Sequence, residues 1–130
     1  MKSGKLIRGL SKGFLLLSGF CLLSVSVMAF SNPQAVMNLV GVRLTNNDAI
    51  SSIRGVYGGV GLTLFLTLLY TLRKNVKEGL ALLSILWGLY AASRVITIVN
   101  EGALGAFGRQ WLSIESLFFV AAVVLLTLNR

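Results

Sequence analysis

The sequence predicts an all-α integral membrane protein, an antiparallel bundle of four spanning helices with a short interfacial helix after the first span. The 130-residue chain is 55% hydrophobic and only 12% charged, whereas a soluble domain carries about a quarter charged residues. Its apolar residues form separate blocks, each close to the roughly 20 residues that cross a bilayer. Its basic residues gather between alternate blocks. We therefore expect one membrane domain over residues 1–130.

The apolar blocks define the expected spans, which cover approximately residues 13–30, 48–72, 79–99 and 111–128. After the first block, Asn32-Pro33 is typical of a helix cap followed by proline at the first helical position. A short helix should follow it and stop at Gly41. Asn46-Asn47-Asp48 then predicts the N-cap of the second span.

The later spans are bounded by a basic link and a glycine-rich loop. The link from Arg73 to Glu78 is short, so the second and third spans should form an antiparallel hairpin. Gly102 and Gly105 should end the third span and open an outer loop that continues to Gln110. Trp111 is the interfacial aromatic residue expected at the start of the fourth span.

Most of the net charge of +8 lies on one side of the membrane if the blocks alternate. That side holds Lys2, Lys5, Arg8, Lys12, Arg73, Lys74, Lys77 and Arg130. The opposite side holds Arg43 and Arg109, offset by Asp48 and Glu101. This bias predicts that both termini lie in the cytoplasm and that the lipid bilayer surrounds the protein. Nucleic-acid binding is not expected, because no exposed aromatic platform interleaves with the basic residues.

The N-terminus also resembles a signal peptide, with a basic start, an apolar stretch and Val27-Met28-Ala29 as a cleavage site. Cleavage after Ala29 would leave three spans. The apolar run is longer than the apolar region of a typical signal peptide, which has about 7–15 residues. An uncleaved first helix is therefore favoured.

The second span carries the densest local pattern, a run of glycines after Arg54. Small residues recur every four positions and predict a smooth helix-packing stripe. The expected packing residues are Ser51, Gly55, Gly58, Gly59 and Gly61. A phosphate-binding loop is excluded, since the run lacks the Gly-Lys-Ser/Thr ending and a preceding strand.

Three ionisable residues lie inside the apolar blocks: Arg54, Arg94 and Glu115. Charges in a membrane interior are costly and mark functional or structural networks. Antiparallel threading places all three near the outer end of the bundle, and we expect Glu115 to lie between the arginines. The network could be structural or could line a ligand pocket. Its further expected members are Tyr57, Trp87, Tyr90 and Glu101.

The sequence offers no catalytic constellation and no cofactor or metal site. It contains no histidine and a single cysteine, Cys21, in the middle of the first span. Metal sites built from cysteine and histidine within the chain are therefore excluded. No nucleophile and base occur at catalytic spacing.

Several of these residues resemble a known group of proteins. Arg54-Gly-Val-Tyr-Gly-Gly, Gly88 with Arg94, and Glu115 resemble a family of small bacterial four-helix membrane proteins of unknown function, loosely grouped with DoxX-like proteins. The resemblance extends from about Leu15 to the end of the chain. It implies a four-helix fold and inner-membrane residence, but no activity. The quinone or thiosulfate oxidation of some DoxX relatives does not carry over, because redox-cofactor ligands are missing.

The favoured function is that of a non-catalytic accessory or structural membrane subunit, either self-associating or part of a larger complex. The alternative is a protein that binds a small anionic, lipid-like or quinone ligand, or a minor carrier, using an outer-side Arg/Glu pocket. An intramembrane enzyme is the least supported reading.

Overall fold

The computed structural model describes residues 2–129, so Met1 and the predicted cytoplasmic charge Arg130 lie outside the described residues. This part of the chain contains no strand. It forms α1 (Lys2–Ser31), α2 (Pro33–Asn38), α3 (Asn47–Lys74), α4 (Val76–Glu101) and α5 (Ala106–Leu128). The predicted all-α class, with four long apolar helices and a short one after the first, is confirmed.

The four long helices are long and apolar enough to cross a membrane. They contain 30, 28, 26 and 23 residues, against the roughly 20 needed. Large apolar side chains cover their outer faces, including Phe20, Leu117 and Val99, which are 66%, 67% and 77% exposed. Such apolar surface is stable in lipid and unfavourable in water. These features indicate a multi-pass membrane protein.

The short helix α2 begins and ends through local hydrogen bonds. The side chain of Asn32 accepts a hydrogen bond from the Ala35 amide, and Pro33 follows as the first helical residue. At the other end Gly41 adopts φ 72°, and the Val42 amide donates to the Met37 carbonyl over 3.0 Å. This is the glycine-closed helix end that the sequence predicts at Gly41.

Helix α3 starts from a side-chain cap and contains a wider turn. The Asn46 side chain accepts a hydrogen bond from the Ala49 amide over 2.8 Å. From Arg54 to Gly59 the backbone is π-helical, and the Val60 amide donates to the Gly55 carbonyl, five residues back. A π turn inserts extra chain into a helix and changes which residues share a face. We call Arg54–Gly59 the π segment.

Two helices extend well beyond their apolar blocks. Helix α1 begins at Lys2, before the expected start of the first span, because lysine and arginine are good helix formers outside the membrane core. Helix α5 begins at Ala106, so residues 106–110 are helical and not the loop that the glycines suggested. Gly105 has extended backbone and marks the end of the true loop.

The described chain divides into two compact units. The first contains residues 2–15 and 71–129, and the second contains Leu16–Tyr70. In the first unit α4 and α5 pack in antiparallel register, since Trp87 contacts Phe118 while the later residue Arg94 contacts the earlier residue Glu115. The prediction of a single membrane domain stays a prediction.

In the second unit the last half of α1 packs antiparallel to α3. A Cβ built at Gly19 would lie 3.2 Å from the Phe65 ring, and one at Gly61 would lie 3.2 Å from the Ser26 Cβ. The two backbones approach so closely at Gly61 because that residue has no side chain.

Candidate functional site

A bidentate ion pair joins α4 and α5 in the first unit. Arg94 Nε donates to Glu115 Oε2 over 2.7 Å, and Arg94 Nη2 donates to Oε1 over 2.9 Å. The Glu115 side chain is 3% exposed and that of Arg94 is 25% exposed. Two parallel charge-assisted hydrogen bonds are the strongest way to pair these groups. Both carboxylate oxygens are therefore engaged within the protein.

The Phe107 ring lies near this ion pair, and further aromatic rings pack together on α4 and α5. The Arg94 guanidinium carbon lies 5.9 Å from the centroid of the Phe107 ring. Trp87 packs edge-on against Phe118, with ring centroids 5.2 Å apart, and against Tyr90 at 5.9 Å. Because the Glu115 side chain is almost fully buried, the electrostatic attraction within the pair is stronger than it would be in water. We call Arg94 and Glu115 the α4–α5 charge pair.

Arg54 lies in the second unit, at the start of the π segment. Its Nε donates to the Phe30 carbonyl over 3.2 Å. Phe30 is in the last turn of α1, where carbonyls have no helical partner and favour a nearby cation. Arg54 thus caps the end of α1. The expectation that it shares Glu115 with Arg94 stays a prediction.

The other expected network residues are spread over both units. Trp87 is buried, at 3% exposure, whereas Tyr90 and Tyr57 are exposed. Tyr57 belongs to the π segment of the second unit. Glu101 is the exposed last residue of α4. Of the expected network members, the structure pairs Arg94 with Glu115 and packs Trp87 against Tyr90.

The glycines of the second span divide into two groups. A Cβ at Gly58 would lie 3.1 Å from the Phe30 ring, and one at Gly61 would meet Ser26. A Cβ at Gly55 or Gly59 would meet nothing within 4 Å, and Ser51 is exposed. The close packing thus falls on Gly58 and Gly61. The reason is the π segment, whose extra chain rotates the helix face away from a regular four-residue stripe.

Two polar contacts were not expected from the sequence. Ser26 is 1% exposed, and its hydroxyl donates to the Gly58 carbonyl over 2.7 Å. Gln34 binds the loop after α2, since Nε2 donates to the Val42 carbonyl and Oε1 accepts from the Leu44 amide. The serines of α1 gave a weak signal for Ser26. Nothing in the local pattern pointed to Gln34.

The described residues do not present a metal-binding cluster. Within residues 2–129, no three histidine, cysteine, aspartate or glutamate side chains converge to hold an ion. Cys21 is a free thiol that is partly buried in α1. The chemistry that the charge pair offers is electrostatic, since it holds one cation and one anion in fixed register.

Comparison with known proteins identifies a family but no activity. No curated protein and no solved structure matches the chain. A family model described as a domain of unknown function, DUF4345, matches residues 10–126. That range includes the π segment and both members of the α4–α5 charge pair. The chain therefore belongs to the DUF4345 family.

Proposed function

We propose that this protein is a non-catalytic accessory or structural membrane subunit that resides in a bacterial inner membrane. The observation that carries the proposal is the bidentate pair between Arg94 and Glu115, with contacts of 2.7 and 2.9 Å. Intramembrane charges are often part of a substrate or proton path. Here the buried carboxylate has both oxygens bound to an arginine of the neighbouring helix, which supports a role in holding helices together.

A ligand-binding or carrier function at this pair receives less support. Glu115 occupies Nε and Nη2 of Arg94, so an anion that took over these two donors would leave the buried carboxylate without them. Leaving such a charge unpaired costs about 3–5 kcal/mol. The pair is better suited to fixing the register of α4 against α5, the best-attested use of buried polar groups.

The charge bias supports the proposed orientation, and the resemblance to small bacterial membrane proteins supports the proposed inner membrane. Basic residues concentrate at the N-terminus and between α3 and α4, and such segments remain in the cytoplasm of bacteria. Both termini would then be cytoplasmic. A relationship to DoxX-like membrane proteins is supported by the Arg54-Gly-Val-Tyr-Gly-Gly motif with Arg94 and Glu115.

An accessory subunit should associate with a partner, which makes the proposal testable. Two copies of the chain with different affinity tags would be co-expressed, extracted in mild detergent and purified through one tag. We expect the second tag to co-purify with the first if the chain associates with itself. If it associates with another protein, native gels should show a complex larger than one 14.0 kDa chain bound to its detergent micelle. A lone monomer without any co-purifying chain would overturn the proposal.

A matched variant links the association to the charge pair. Glu115→Gln should reduce the recovered complex, because Arg94 then loses its ionic partner and the α4–α5 register loosens. Arg109→Gln changes one exposed charge on the same predicted side and should leave the complex intact. An equal loss in both variants would contradict the assigned role of the pair.

A further inference from the structure

An open cleft of about 850 Å³ lies in the second unit, between the end of α1, helix α2 and the start of α3. Its lining includes Asn32, Gln34, Asn38, Arg43, Leu44 and Arg54. We propose that this cleft binds the phosphate group of a phosphate ester. The proposal does not depend on the α4–α5 charge pair, because all of the lining residues belong to the second unit.

The cleft is electropositive. Arg43 and Arg54 both line it, and no aspartate or glutamate is among its lining residues. Within residues 2–129, neither arginine forms an ion pair. Arg54 uses Nε to hold the Phe30 carbonyl, so that its two terminal nitrogens remain for another acceptor. Guanidinium groups bind phosphate oxygens through such paired donors.

The loop that carries Arg43 is held in place before any ligand binds. Gln34 Nε2 donates to the Val42 carbonyl over 2.9 Å, and Gln34 Oε1 accepts from the Leu44 amide over 2.8 Å. These bonds flank Arg43 on both sides. Gly41, with φ 72°, closes α2 and starts the loop. A binding residue on a fixed loop loses less conformational entropy when it binds.

The surroundings of the cleft indicate an amphiphilic ester. Val42, which lines the cleft, is 47% exposed, and Leu39 and Val40, shortly before it in the chain, are 48% and 51% exposed. The cleft also lies where α1 ends and α3 begins, and lipid headgroups meet a membrane protein at the ends of its spanning helices. A phosphate of a glycerophospholipid would place its oxygens on the arginines and its chains along these apolar residues.

Lipid titration of the detergent-solubilised protein tests the site. Native mass spectrometry would follow the binding of phosphatidylglycerol, and glycerol 3-phosphate would be added as a soluble competitor. We expect saturable binding of one lipid that Arg43→Gln and Arg54→Gln each weaken about tenfold, the loss typical for one charge-assisted hydrogen bond. Arg109→Gln, which also removes one exposed charge outside the cleft, should bind as the wild type does.

Competition with glycerol 3-phosphate distinguishes a soluble phosphate ester from a membrane lipid as the ligand. Displacement of the lipid by glycerol 3-phosphate would show that the phosphate alone suffices, and failure to displace it would assign the site to membrane lipid. Arg43 is an exposed loop residue, so its variant keeps the assay interpretable if Arg54→Gln unfolds. Binding that is not saturable, or is weakened equally by Arg109→Gln, would overturn the proposal.

Discussion

At the scale of single residues, Glu115 is the least tolerant of change. Its side chain is short and 3% exposed, so it cannot reach the headgroup region as a lysine or arginine can. Its charge is stable only because Arg94 supplies two donors. Arg94 in turn lies between that carboxylate and the Phe107 ring.

A double-mutant cycle should measure this dependence. Arg94→Gln alone should lower the free energy of unfolding by about 3 kcal/mol, the lower end for buried pairs, since Arg94 is a quarter exposed. Adding Glu115→Gln should restore part of the loss, because no unpaired charge then remains. Unfolding by SDS in a mild detergent, followed by circular dichroism, would provide the four free energies.

The cycle is accompanied by a control variant, and one outcome would contradict the assigned pairing. Arg109→Gln should change the free energy of unfolding by no more than about 0.5 kcal/mol, as is usual for exposed substitutions. If the effects of the two single variants simply add in the double variant, the residues do not interact and the assigned pairing is wrong.

Sequence reasoning singled out Arg94 and Glu115 because charged residues inside apolar blocks are rare. It could not predict that Arg94 would occupy both carboxylate oxygens or approach Phe107. Position along a helix gives depth in the membrane, but the rotation of each helix decides which side chains meet. For the same reason, the hydrogen bond from Arg54 to the Phe30 carbonyl could not be predicted from the residue order.

At the scale of helices, the π segment decides which glycines matter. Gly61→Val should lower the free energy of unfolding by about 1–3 kcal/mol more than Gly59→Val. The added side chain at Gly61 meets the Ser26 Cβ and the Leu22 carbonyl, whereas that at Gly59 meets nothing within 4 Å. Both variants add the same side chain at positions two residues apart in α3, so the difference reports mainly on packing.

The measurement is again detergent unfolding, with the two valine variants side by side. Equal losses would mean that α1 does not pack against Gly61. A greater loss for Gly59→Val would indicate that the regular four-residue stripe predicted from the sequence is the true contact, and that the π segment is not present.

A second element-scale prediction concerns the hydrogen bond between α1 and the π segment. Ser26→Ala should cost about 1 kcal/mol of stability, because the Gly58 carbonyl loses a buried donor at 2.7 Å. Ser24 is the matched control. Its hydroxyl bonds to the Phe20 carbonyl of its own helix and is exposed, so Ser24→Ala should have little effect. A larger loss of stability for Ser24→Ala than for Ser26→Ala would contradict the hydrogen bond between Ser26 and the Gly58 carbonyl.

Helix ends were predictable where the chemistry is local. Asn32, Gly41 and Asn46 act through side chains or backbone conformations that depend on a few neighbours. The π segment was not predictable from periodicity. A four-residue stripe assumes regular α-helix, and nothing in the residue order between Arg54 and Gly59 signals the wider hydrogen bonds.

At the scale of the whole molecule, the distribution of basic residues is the strongest determinant of orientation. Lysine and arginine near span ends resist transfer across the bacterial membrane. The N-terminal group and the link at residues 73–77 act in the same direction. The opposite loops carry few basic residues, each with an acidic residue to offset it. All four spans are then required for both termini to lie in the cytoplasm.

Paired reporter fusions test this orientation. Green fluorescent protein fused after Arg130 should fluoresce, because it becomes fluorescent only in the cytoplasm. Alkaline phosphatase fused at the same site should be inactive, because it is active only on the outer side of the membrane. Both results should reverse for fusions truncated after Arg43, in the loop before α3. Intact-mass measurement would show whether α1 is retained, since cleavage after Ala29 removes one span. An active phosphatase after Arg130 on a full-length chain would show that the charge bias does not set the orientation. The cleft lined by Arg43 and Arg54 would then face the cytoplasm.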